Sequence, residues 1–413
     1  MNALVLGYGR SGKAAEALLC RSGFTVTVLE DSKGSCGAES HRLPEDVAFA
    51  VVSPGVPLTS PLIAECREKG IPLKSELQLG CEELKRQGWT LLAVTGSKGK
   101  SSVVKVVADA INLAGMHAVA CGNYGLPVSE VAVSSPDLQS RPSTSRWAVV
   151  EVSSFMMETT ELPADTFEAA AILNLQEDHL DRHGSVETYH GLKRKLLTMA
   201  KLGFEGESSG DRDASATLDL FAGSYFDNDI LKANAWCAVA LMRAAGLNDA
   251  NIAAAFREFV PLPHRMNTVA EIDGVRYIDD SKATSLAALS AGVIMASTSI
   301  STSTSTFNFQ PSIRLIAGGL PKGDDPKSVV SILTERVKKV YLIGQSAEAF
   351  AAAWKSYVDC EICGTMEAAV EAAKREAAKG DKVLLSPGTA SFDQFKSFGE
   401  RGDVFARLVK KEK

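Results

Sequence analysis

The chain has 413 residues, of which 45% are hydrophobic and 23% are charged, so we expect a folded protein of roughly two to four domains. A net charge of −6 argues against a broad nucleic-acid-binding surface, and no apolar run reaches the roughly 20 residues that a membrane span needs. The chain starts without the basic residues and cleavage site of a secretory signal, and its eight cysteines are scattered, which predicts reduced thiols in the cytoplasm.

Short apolar runs alternate with helical stretches over residues 1–88, as in a doubly wound parallel sheet. The predicted strands and helices are Ala3–Gly7, a helix from about Ser11, Thr25–Leu29, Phe49–Ser53 and a helix near Pro61–Lys69. The run Gly7-Tyr8-Gly9-Arg10-Ser11-Gly12 begins like a dinucleotide-binding turn, and Glu30 stands where a ribose-binding acid would. Because the last glycine comes early, a tight turn that binds no NAD is the alternative.

A second α/β unit begins near Trp89, and its first strand ends in the loop Thr95-Gly96-Ser97-Lys98-Gly99-Lys100-Ser101-Ser102. The glycines let backbone N–H groups approach an anion, and the helix that follows adds partial positive charge. Lys100 would reach the terminal phosphates of a nucleotide, and the Ser101 hydroxyl would ligate Mg²⁺. The loop is two residues shorter than the usual phosphate loop, so an ordinary Gly/Ser turn with exposed lysines is the alternative.

The rest of this unit is predicted to continue the alternation of strands and helices. The predicted elements are strands at Leu91–Thr95, His117–Ala120, Trp147–Val152 and Ala169–Leu173, a helix over roughly 185–201, a flexible excursion over 203–216 and an alanine-rich helix around Ala233–Ala245. Pro261-Leu262-Pro263 then predicts a stiff break and a domain boundary.

A hairpin is predicted to open the last region, with Asp273-Gly274 joining Thr268–Ile272 to Val275–Ile278. Further strands are predicted at Ile313–Ala317, Val340–Ile343 and Val383–Ser386, interleaved with helices. Residues 297–306 are almost entirely Ser and Thr, which predicts a mobile surface loop.

Polar residues follow three predicted strands at their carboxyl ends, where ligands collect in open α/β sheets. Glu151 follows one strand, Asp178-His179 follows the next, and Asp279 to Thr284 follow the hairpin. Glu151 and His179 could meet the metal ion that Ser101 contacts. The alternative is that Glu151 caps a helix and His179 satisfies a turn, and the residues alone leave both readings open.

Six motifs stand in order along the chain: Thr95-Gly-Ser-Lys-Gly-Lys-Ser101, Gly122-Asn-Tyr-Gly125, Glu151-Val-Ser-Ser154, Asn174-Leu-Gln-Glu-Asp-His179, Leu262-Pro-His-Arg265 and Asp280-Ser-Lys-Ala-Thr284. In type and order they resemble those of the Mur ligases, three-domain ATP-dependent enzymes that form amide bonds in peptidoglycan synthesis. Residues 385–402 resemble the C-terminal signature of the members that add D-glutamate. The Asp-Asn-Pro-Arg segment of the diamino-acid-adding members is absent from the sequence.

The resemblance implies an α/β fold of three domains. Residues 1–88 would form a Rossmann-like domain for a UDP-linked substrate, 89–262 a central P-loop ATPase-like domain, and 263–413 a Rossmann-like α/β domain that binds D-glutamate and completes the ATP site. It implies UDP-N-acetylmuramoyl-L-alanine, D-glutamate and ATP as substrates, two Mg²⁺ sites, an acyl-phosphate intermediate and ADP as a product. We further expect a monomer that binds no nucleic acid.

The resemblance also assigns residues to each ligand. Those implied for ATP are Gly96, Ser97, Lys98, Gly99, Lys100, Ser101, Ser102, Asn234, Arg265 and Asp280. Those implied for the UDP substrate are Arg10, Ser11, Glu30, Ser53, Gly55, Asn123 and His179. Those implied for D-glutamate are Lys282, Thr284, Ser391 and Phe398. The implied catalytic set is Lys100, His179, Lys193, Asp280 and Lys282, and the implied metal ligands are Ser101, Glu151, His179 and Lys193 as a carbamate.

Lys193 matches the family lysine that CO₂ converts to a carbamate, a carboxylate that can ligate Mg²⁺ where an ammonium cannot. From the residues alone, Lys193-Arg194-Lys195 predicts a solvated helix face instead. The chain departs from the family at Leu231, where asparagine is usual, so adenine binding is expected to be altered. Asp279 also stands where asparagine is common, and it adds negative charge beside Asp280. The span from Lys193 to Asn234 is short, which predicts that some strands of the central domain are missing.

Three other functions remain open at this stage. One is a related ligase with another substrate, such as a folylpolyglutamate synthetase or a different Mur enzyme. Another is a non-catalytic binding protein that keeps the fold. The last is a nicotinamide enzyme built on the Gly7–Gly12 turn, which would use no ATP.

Overall fold

The computed structural model describes residues 1–30, 43–134, 145–206, 214–228, 230–297 and 312–411, and it contains three β-sheets flanked by helices. The chain divides into two compact units, Met1–Phe259 and Val260–Lys413. The first unit contains two sheets and the second contains one. Within the described ranges, no helix is long and apolar enough to cross a membrane.

The first sheet has four parallel strands in the order β2-β1-β3-β4. Its strands and helices are β1 Asn2–Leu6, α1 Arg10–Arg21, β2 Thr25–Leu29, β3 Val47–Val52, α2 Pro61–Glu68, β4 Leu73–Ser75 and α3 Glu76–Arg86. The three strands predicted from apolar runs are therefore confirmed. Apolar residues of β1 are fully buried because helices or loops cover both faces of a parallel sheet.

The second sheet has five parallel strands in the order β6-β7-β5-β8-β9. Its strands are β5 Thr90–Thr95, β6 His117–Gly122, β7 Arg146–Glu151, β8 Phe167–Ile172 and β9 Ala200–Glu205. Its helices are α4 Lys100–Leu113, α5 Val128–Ser134, α6 Ser154–Met157, α7 Leu180–His183, α8 Val186–Lys195, α9 Ala214–Phe221, α10 Lys232–Ala244 and α11 Asp249–Glu258. β5 lies at the centre, so the loop after it lies between the carboxyl ends of two neighbouring strands.

The prediction for residues 185–216 is wrong in two places. The helix α8 ends at Lys195, a 3-10 turn follows over Leu196–Met199, and Ala200–Glu205 is the edge strand β9. β9 pairs in parallel with β8, which supplies hydrogen bonds that no local pattern reveals. This strand lies between Lys193 and Asn234, the span predicted to be too short for all the strands of a full central domain. Of the predicted flexible excursion, residues 207–213 lie outside the described part of the chain.

The two sheets of the first unit share a hydrophobic core. Helices α1, α3 and α5 pack against one another, and one cluster contains Leu18 from α1, Leu77 from α3 and Val128 from α5. At this contact the buried Glu76 carboxylate accepts a hydrogen bond from the Ser129 N–H at 2.6 Å. Burial raises the pKa of Glu76 to about 7, because a charged carboxylate is poorly solvated there.

We expect Glu76→Gln to flatten the dependence of stability on pH. In the native protein Glu76 holds its proton up to about pH 7, whereas in the unfolded chain it ionises near 4.5, so native stability falls as pH rises between these values. Glutamine accepts the same hydrogen bond but does not ionise. The variant should therefore not lose the few kcal/mol of unfolding free energy that the native protein loses as pH rises. Urea unfolding midpoints from pH 5 to 8 measure the slope, and the exposed Glu82→Gln on the same helix is the control. An unchanged slope in Glu76→Gln would contradict the expectation.

The second unit is a single mixed sheet in the order β10-β11-β15-β12-β13-β14. Its elements are β10 Asn267–Ile272, β11 Val275–Asp279, α12 Leu286–Ser297, β12 Ile313–Gly318, a 3-10 turn Pro326–Val329, α13 Val330–Arg336, β13 Val337–Ile343, α14 Ala347–Trp354, β14 Asp359–Gly364, α15 Met366–Glu376, β15 Lys382–Leu385 and α16 Phe398–Lys410. β10 and β11 form the predicted antiparallel hairpin, with positive φ at Asp273 and Gly274. Only Ser297 of the predicted Ser/Thr loop is described, and it ends α12; residues 298–306 lie outside the described residues.

Candidate active site

The loop after β5 has the backbone that phosphate binding requires. Gly96 has φ +148° and Gly99 has φ +85°, and α4 begins at the next residue, Lys100. A Cβ at Gly99 would lie 2.0 Å from Nδ2 of Asn234, so no other residue fits without rearrangement. The first N–H groups of α4 have no partners within the helix and can therefore bind an anion.

Side-chain hydrogen bonds between this loop and the segment after β8 hold it in place. Asn174 accepts a hydrogen bond from the Lys98 N–H at 2.8 Å and donates to the Lys98 carbonyl at 2.9 Å. It also donates to Oδ1 of Asn234 at 3.1 Å. The Ser97 hydroxyl lies 3.0 Å from the Gln176 carbonyl, to which it donates. The loop is thus fixed before any ligand binds, which favours selective anion binding.

Two lysines converge on the Gly96 carbonyl. Lys100 Nζ donates to it at 2.8 Å, and Lys193 Nζ donates to it at 2.9 Å from α8. Lys193 is 1% exposed, so the sequence reading of a solvated helix face is wrong. Burial and the neighbouring Lys100 lower the pKa of Lys193 to about 7. The amine is therefore substantially uncharged near neutral pH.

Glu151 ends β7 next to the loop, since it pairs in register with Val94 of β5. Its Oε1 accepts a hydrogen bond from Asn123 Nδ2 at 2.7 Å. Its Oε2 is buried and has no hydrogen-bond partner among the residues that the structure describes. Glu151 does not cap α6, because that cap is Ser153, whose hydroxyl accepts from the Met156 N–H at 3.3 Å. A buried carboxylate oxygen without a partner is suited to bind a cation.

The other implied metal ligands, Ser101 and His179, differ from Glu151 in position and exposure. Ser101 lies in the first turn of α4, and His179 is about half exposed, with its ring 4.8 Å from the Phe155 ring. Among the described residues, no three His, Cys, Asp or Glu side chains cluster as a metal site. One carboxylate plus hydroxyl and phosphate oxygens is nevertheless the ligand set that Mg²⁺ often uses, so the residues present fit this ion.

The first sheet presents its own candidate site at the Gly7 turn. The Ser53 hydroxyl donates to the Gly7 carbonyl at 2.7 Å, and the Glu30 carboxylate accepts from the Tyr8 N–H at 2.9 Å. The structure thus brings the turn after β1, the end of β2 and the turn after β3 together. The remaining residues implied for the UDP substrate here are Gly55, in the turn after β3, and Arg10 and Ser11, which begin α1.

In the second unit, two adjacent carboxylates at the end of β11 have different partners; Asp279 is the last residue of this strand and Asp280 follows it. Asp280 accepts from the Ser386 hydroxyl at 2.9 Å, and burial raises its pKa to about 7. Asp279 accepts from the Ser281 N–H at 2.9 Å and lies 2.7 Å from His264 Nδ1. The residue that departs from the family, Asp279, is therefore already hydrogen-bonded within its own unit.

Arg401 is a residue of this region that the sequence analysis did not assign. It is fully buried and donates to the Ser281 carbonyl at 2.9 Å and hydroxyl at 3.0 Å, and to the Thr389 and Ala390 carbonyls at 3.2 Å. Burial lowers its pKa to about 10. It therefore connects the Asp280–Thr284 segment with the segment that leads to Ser391. Its position on the buried stripe of α16, with Phe405 and Val409, is the signal that could have identified it.

The remaining implied residues occupy these same segments. Lys282 Nζ lies 3.7 Å from the centroid of the Phe398 ring, and Ser391 is buried. Thr284 is partly exposed, and Arg265 follows His264 in the turn before β10.

In the first unit, Ser102 is buried in α4, and Asn234 is buried in α10. Leu231 precedes α10 and is also buried, so it offers no polar side chain for a nucleotide.

Comparison with known proteins gives matches over nearly the whole chain. Residues 94–204 match the Mur ligase middle domain, and residues 264–388 match the Mur ligase glutamate ligase domain. The UDP-N-acetylmuramoylalanine--D-glutamate ligase of Acidobacterium capsulatum is 32% identical over 98% of this chain and 95% of its own length. The enzyme of the same name from Chlamydia caviae is 31% identical over 98% of this chain and 97% of its own.

Solved structures share the fold at much lower identity. The UDP-N-acetylmuramate-alanine ligase MurC from Thermotoga maritima superposes with a TM-score of 0.56 at 16% identity, covering 99% of this chain and 98% of that chain. The MurF ligase from the same organism, solved in complex with ADP, gives a TM-score of 0.56 at 14% identity and covers 88% of each chain. These likenesses show a common α/β architecture with Rossmann-like domains.

Proposed function

Because the chain belongs to the Mur ligase family, with D-glutamate ligases as near-full-length relatives, we propose that it joins D-glutamate to UDP-N-acetylmuramoyl-L-alanine at the expense of ATP. This reaction serves peptidoglycan synthesis. The observation that carries the proposal is the convergence of Lys100 and Lys193 on the Gly96 carbonyl at the start of α4. The start of a helix and a nearby lysine together favour binding of a triphosphate.

The reaction has two steps. The alanyl carboxylate of the UDP substrate attacks the γ-phosphate of ATP, which releases ADP and gives an acyl phosphate. The amine of D-glutamate then attacks the acyl carbon, and phosphate leaves from a tetrahedral intermediate as the amide forms. Lys100 and the N–H groups of the loop stabilise the negative charge of the transferring phosphoryl group. Without them, the repulsion between the carboxylate and the phosphate would oppose the first step.

The chain's own residues would hold Mg²⁺ as well. Ser101 and Glu151 would hold one ion, and His179 and the carbamate of Lys193 would hold a second. When bound, the ions neutralise charge on the phosphate oxygens. The buried Oε2 of Glu151, which has no hydrogen-bond partner in the described part of the chain, supports the first assignment.

Lys193 is suited to become a carbamate. Carbamylation requires the neutral amine, and the lowered pKa of about 7 makes that form available at neutral pH. The amine nitrogen attacks CO₂ and loses a proton, and the carbamate that forms keeps one N–H. That N–H can continue to donate to the Gly96 carbonyl, now at 2.9 Å from Nζ. The new negative charge would also offset the positive charge of Lys100.

Other residues would bind the two ends of the UDP substrate, and a further group would bind D-glutamate. We assign the uridine end to Arg10, Ser11, Glu30, Ser53 and Gly55, and the muramoyl-alanine end to Asn123 and His179. In the second unit, Lys282, Thr284, Ser391 and Phe398 would bind D-glutamate, since positive and donor groups suit its two carboxylates. Arg265 and Asp280 would bind ATP, and we propose that the protein is a monomer in the cytoplasm.

Phosphate release by the purified protein tests the function. The protein is given UDP-N-acetylmuramoyl-L-alanine, ATP and Mg²⁺ together with D-glutamate, L-glutamate or L-lysine. We expect release with D-glutamate alone. Release with L-lysine would indicate a different Mur enzyme, and binding of the UDP substrate without any ATP hydrolysis would indicate a non-catalytic protein.

A further inference from the structure

Arg182 lies where two parts of the first unit meet. It belongs to α7, a single turn between His179, at φ +54°, and Gly184, at φ +76°. Its guanidinium donates to both carboxylate oxygens of Glu158, at 3.0 and 2.5 Å, and to the backbone carbonyl of Val56 at 2.8 Å. Val56 lies in the turn after β3 of the first sheet, whereas Glu158 follows α6 of the second sheet. One side chain therefore joins elements of both sheets.

The turn that Arg182 contacts carries residues proposed for the UDP substrate. The Val56 N–H donates to the Ser53 carbonyl at 3.0 Å, with Gly55 between them. The Ser53 hydroxyl in turn donates to the Gly7 carbonyl. A continuous series of hydrogen bonds thus runs from α7 to the glycine turn of the first sheet.

The ion pair in this series is well shielded from water. The Glu158 side chain is 7% exposed and the Arg182 side chain 18%. The Phe155 ring packs 5.2 Å from the Arg182 guanidinium and 4.8 Å from the His179 ring. His183 Nδ1 lies 3.4 Å from the Glu158 carboxylate. A bidentate pair of this kind has a defined geometry, and breaking it would leave a buried charge without its partner.

We propose that Arg182 is a positioning residue that fixes the UDP-binding turn relative to the segment carrying His179, so that one substrate molecule is held at both ends. This inference rests on the proposed function, which assigns Ser53, Gly55 and His179 to the UDP substrate. A ligand that must contact both segments gains affinity when they are prearranged. A ligand that contacts only the first segment does not.

Binding of two ligands of different length tests this role. Calorimetry without ATP or D-glutamate compares UDP-N-acetylmuramoyl-L-alanine with UDP alone. In Arg182→Met, we expect the Kd of the full substrate to rise about tenfold, while that of UDP stays within about twofold. The KM for ATP should also stay within about twofold, because the loop after β5 makes its own contacts.

Arg146→Met is the matched control. Arg146 also donates to a backbone carbonyl, that of Gln87 at 2.6 Å, and lies 5.2 Å from the centroid of Trp89. It starts β7, at the opposite end of the strand from Glu151. We therefore expect this variant to bind both ligands as the wild type does.

The outcomes separate the proposal from its premise. An equal loss for UDP and for the full substrate in Arg182→Met, or the same loss in Arg146→Met, would mean a structural role only and would overturn the proposal. If Arg182→Met does not fold, Arg182→Lys provides the same comparison, because its single ammonium cannot serve both Glu158 oxygens and Val56. A wild-type protein that fails to bind UDP-N-acetylmuramoyl-L-alanine would instead refute the proposed function.

Discussion

Replacing Lys193 by alanine is expected to lower the rate of ligation about 10²–10³-fold, and short carboxylates such as acetate should restore part of the activity. Lys193 is the buried amine beside the phosphate loop, and its carbamate would place a negative charge where a metal ion is required. A small carboxylate can enter the space that alanine leaves and supply that charge. Initial rates of phosphate release with and without acetate measure both effects.

The matched control is Lys195→Ala. Lys195 is on the same helix, but it forms a surface ion pair with Glu161 at 2.5 Å, so its loss should change activity little. Lys193→Arg should remain inactive with acetate, because arginine fills the space and cannot form the carbamate. Loss of activity in Lys193→Ala without any rescue would contradict the carbamate assignment.

We expect ligation activity to depend on pH because the pKa of Lys193 is lowered. Burial and Lys100 bring this pKa to about 7, so the fraction of neutral amine falls as the pH drops below that value. Carbamate that is lost on acidification should then re-form slowly, and added CO₂ should raise activity most at low pH. Lys193→Ala rescued with acetate should lack this CO₂ dependence.

The second large effect is expected for Lys100→Met. This change removes the ammonium that lies over the loop, 2.8 Å from the Gly96 carbonyl and 3.1 Å from that of Ser97. If Lys100 stabilises charge on the transferring phosphoryl group, kcat should fall about 10²–10³-fold, with a smaller change in the KM for the UDP substrate. Single-turnover measurement of ADP formation isolates the first chemical step.

Lys105→Met serves as the control for Lys100→Met. Lys105 is on the same helix, but it pairs with Asp109 and lies 5.1 Å from the ring centroid of Phe259. Its loss should affect stability more than ADP formation. If both variants reduced ADP formation equally, the role of Lys100 in phosphoryl transfer would be rejected.

Local signals predicted much of the architecture. The apolar run before Gly96 and the glycines of the loop are sufficient to predict strand, tight turn and helix, because both the positive φ values and the helix start are local properties. The Asp273-Gly274 hairpin was predicted for the same reason. The polar residues after β7 and β8 were predicted to lie near the loop because parallel strands present their carboxyl ends at one edge.

Other features depend on residues far apart in the sequence. β9 forms because β8 offers a free edge, and a six-residue segment with little periodicity gives no hint of it. Arg401 has its acceptors on segments 11 to 120 residues away, and Arg182 reaches Val56 across 126 residues. The sequence does not show which acceptors these arginines reach, because only packing brings distant carbonyls and carboxylates around a charge that loses water.

The sequence by itself determined most of the strands, the strand, tight turn and helix around Gly96, and the family, since these depend on residue type, spacing and local backbone preference. Tertiary structure alone decided that Lys193 is buried and that its pKa falls to about 7. It also decided that one buried oxygen of Glu151 has no hydrogen-bond partner among the described residues. The reason is physical: burial and charge proximity arise only when distant segments pack together and exclude water.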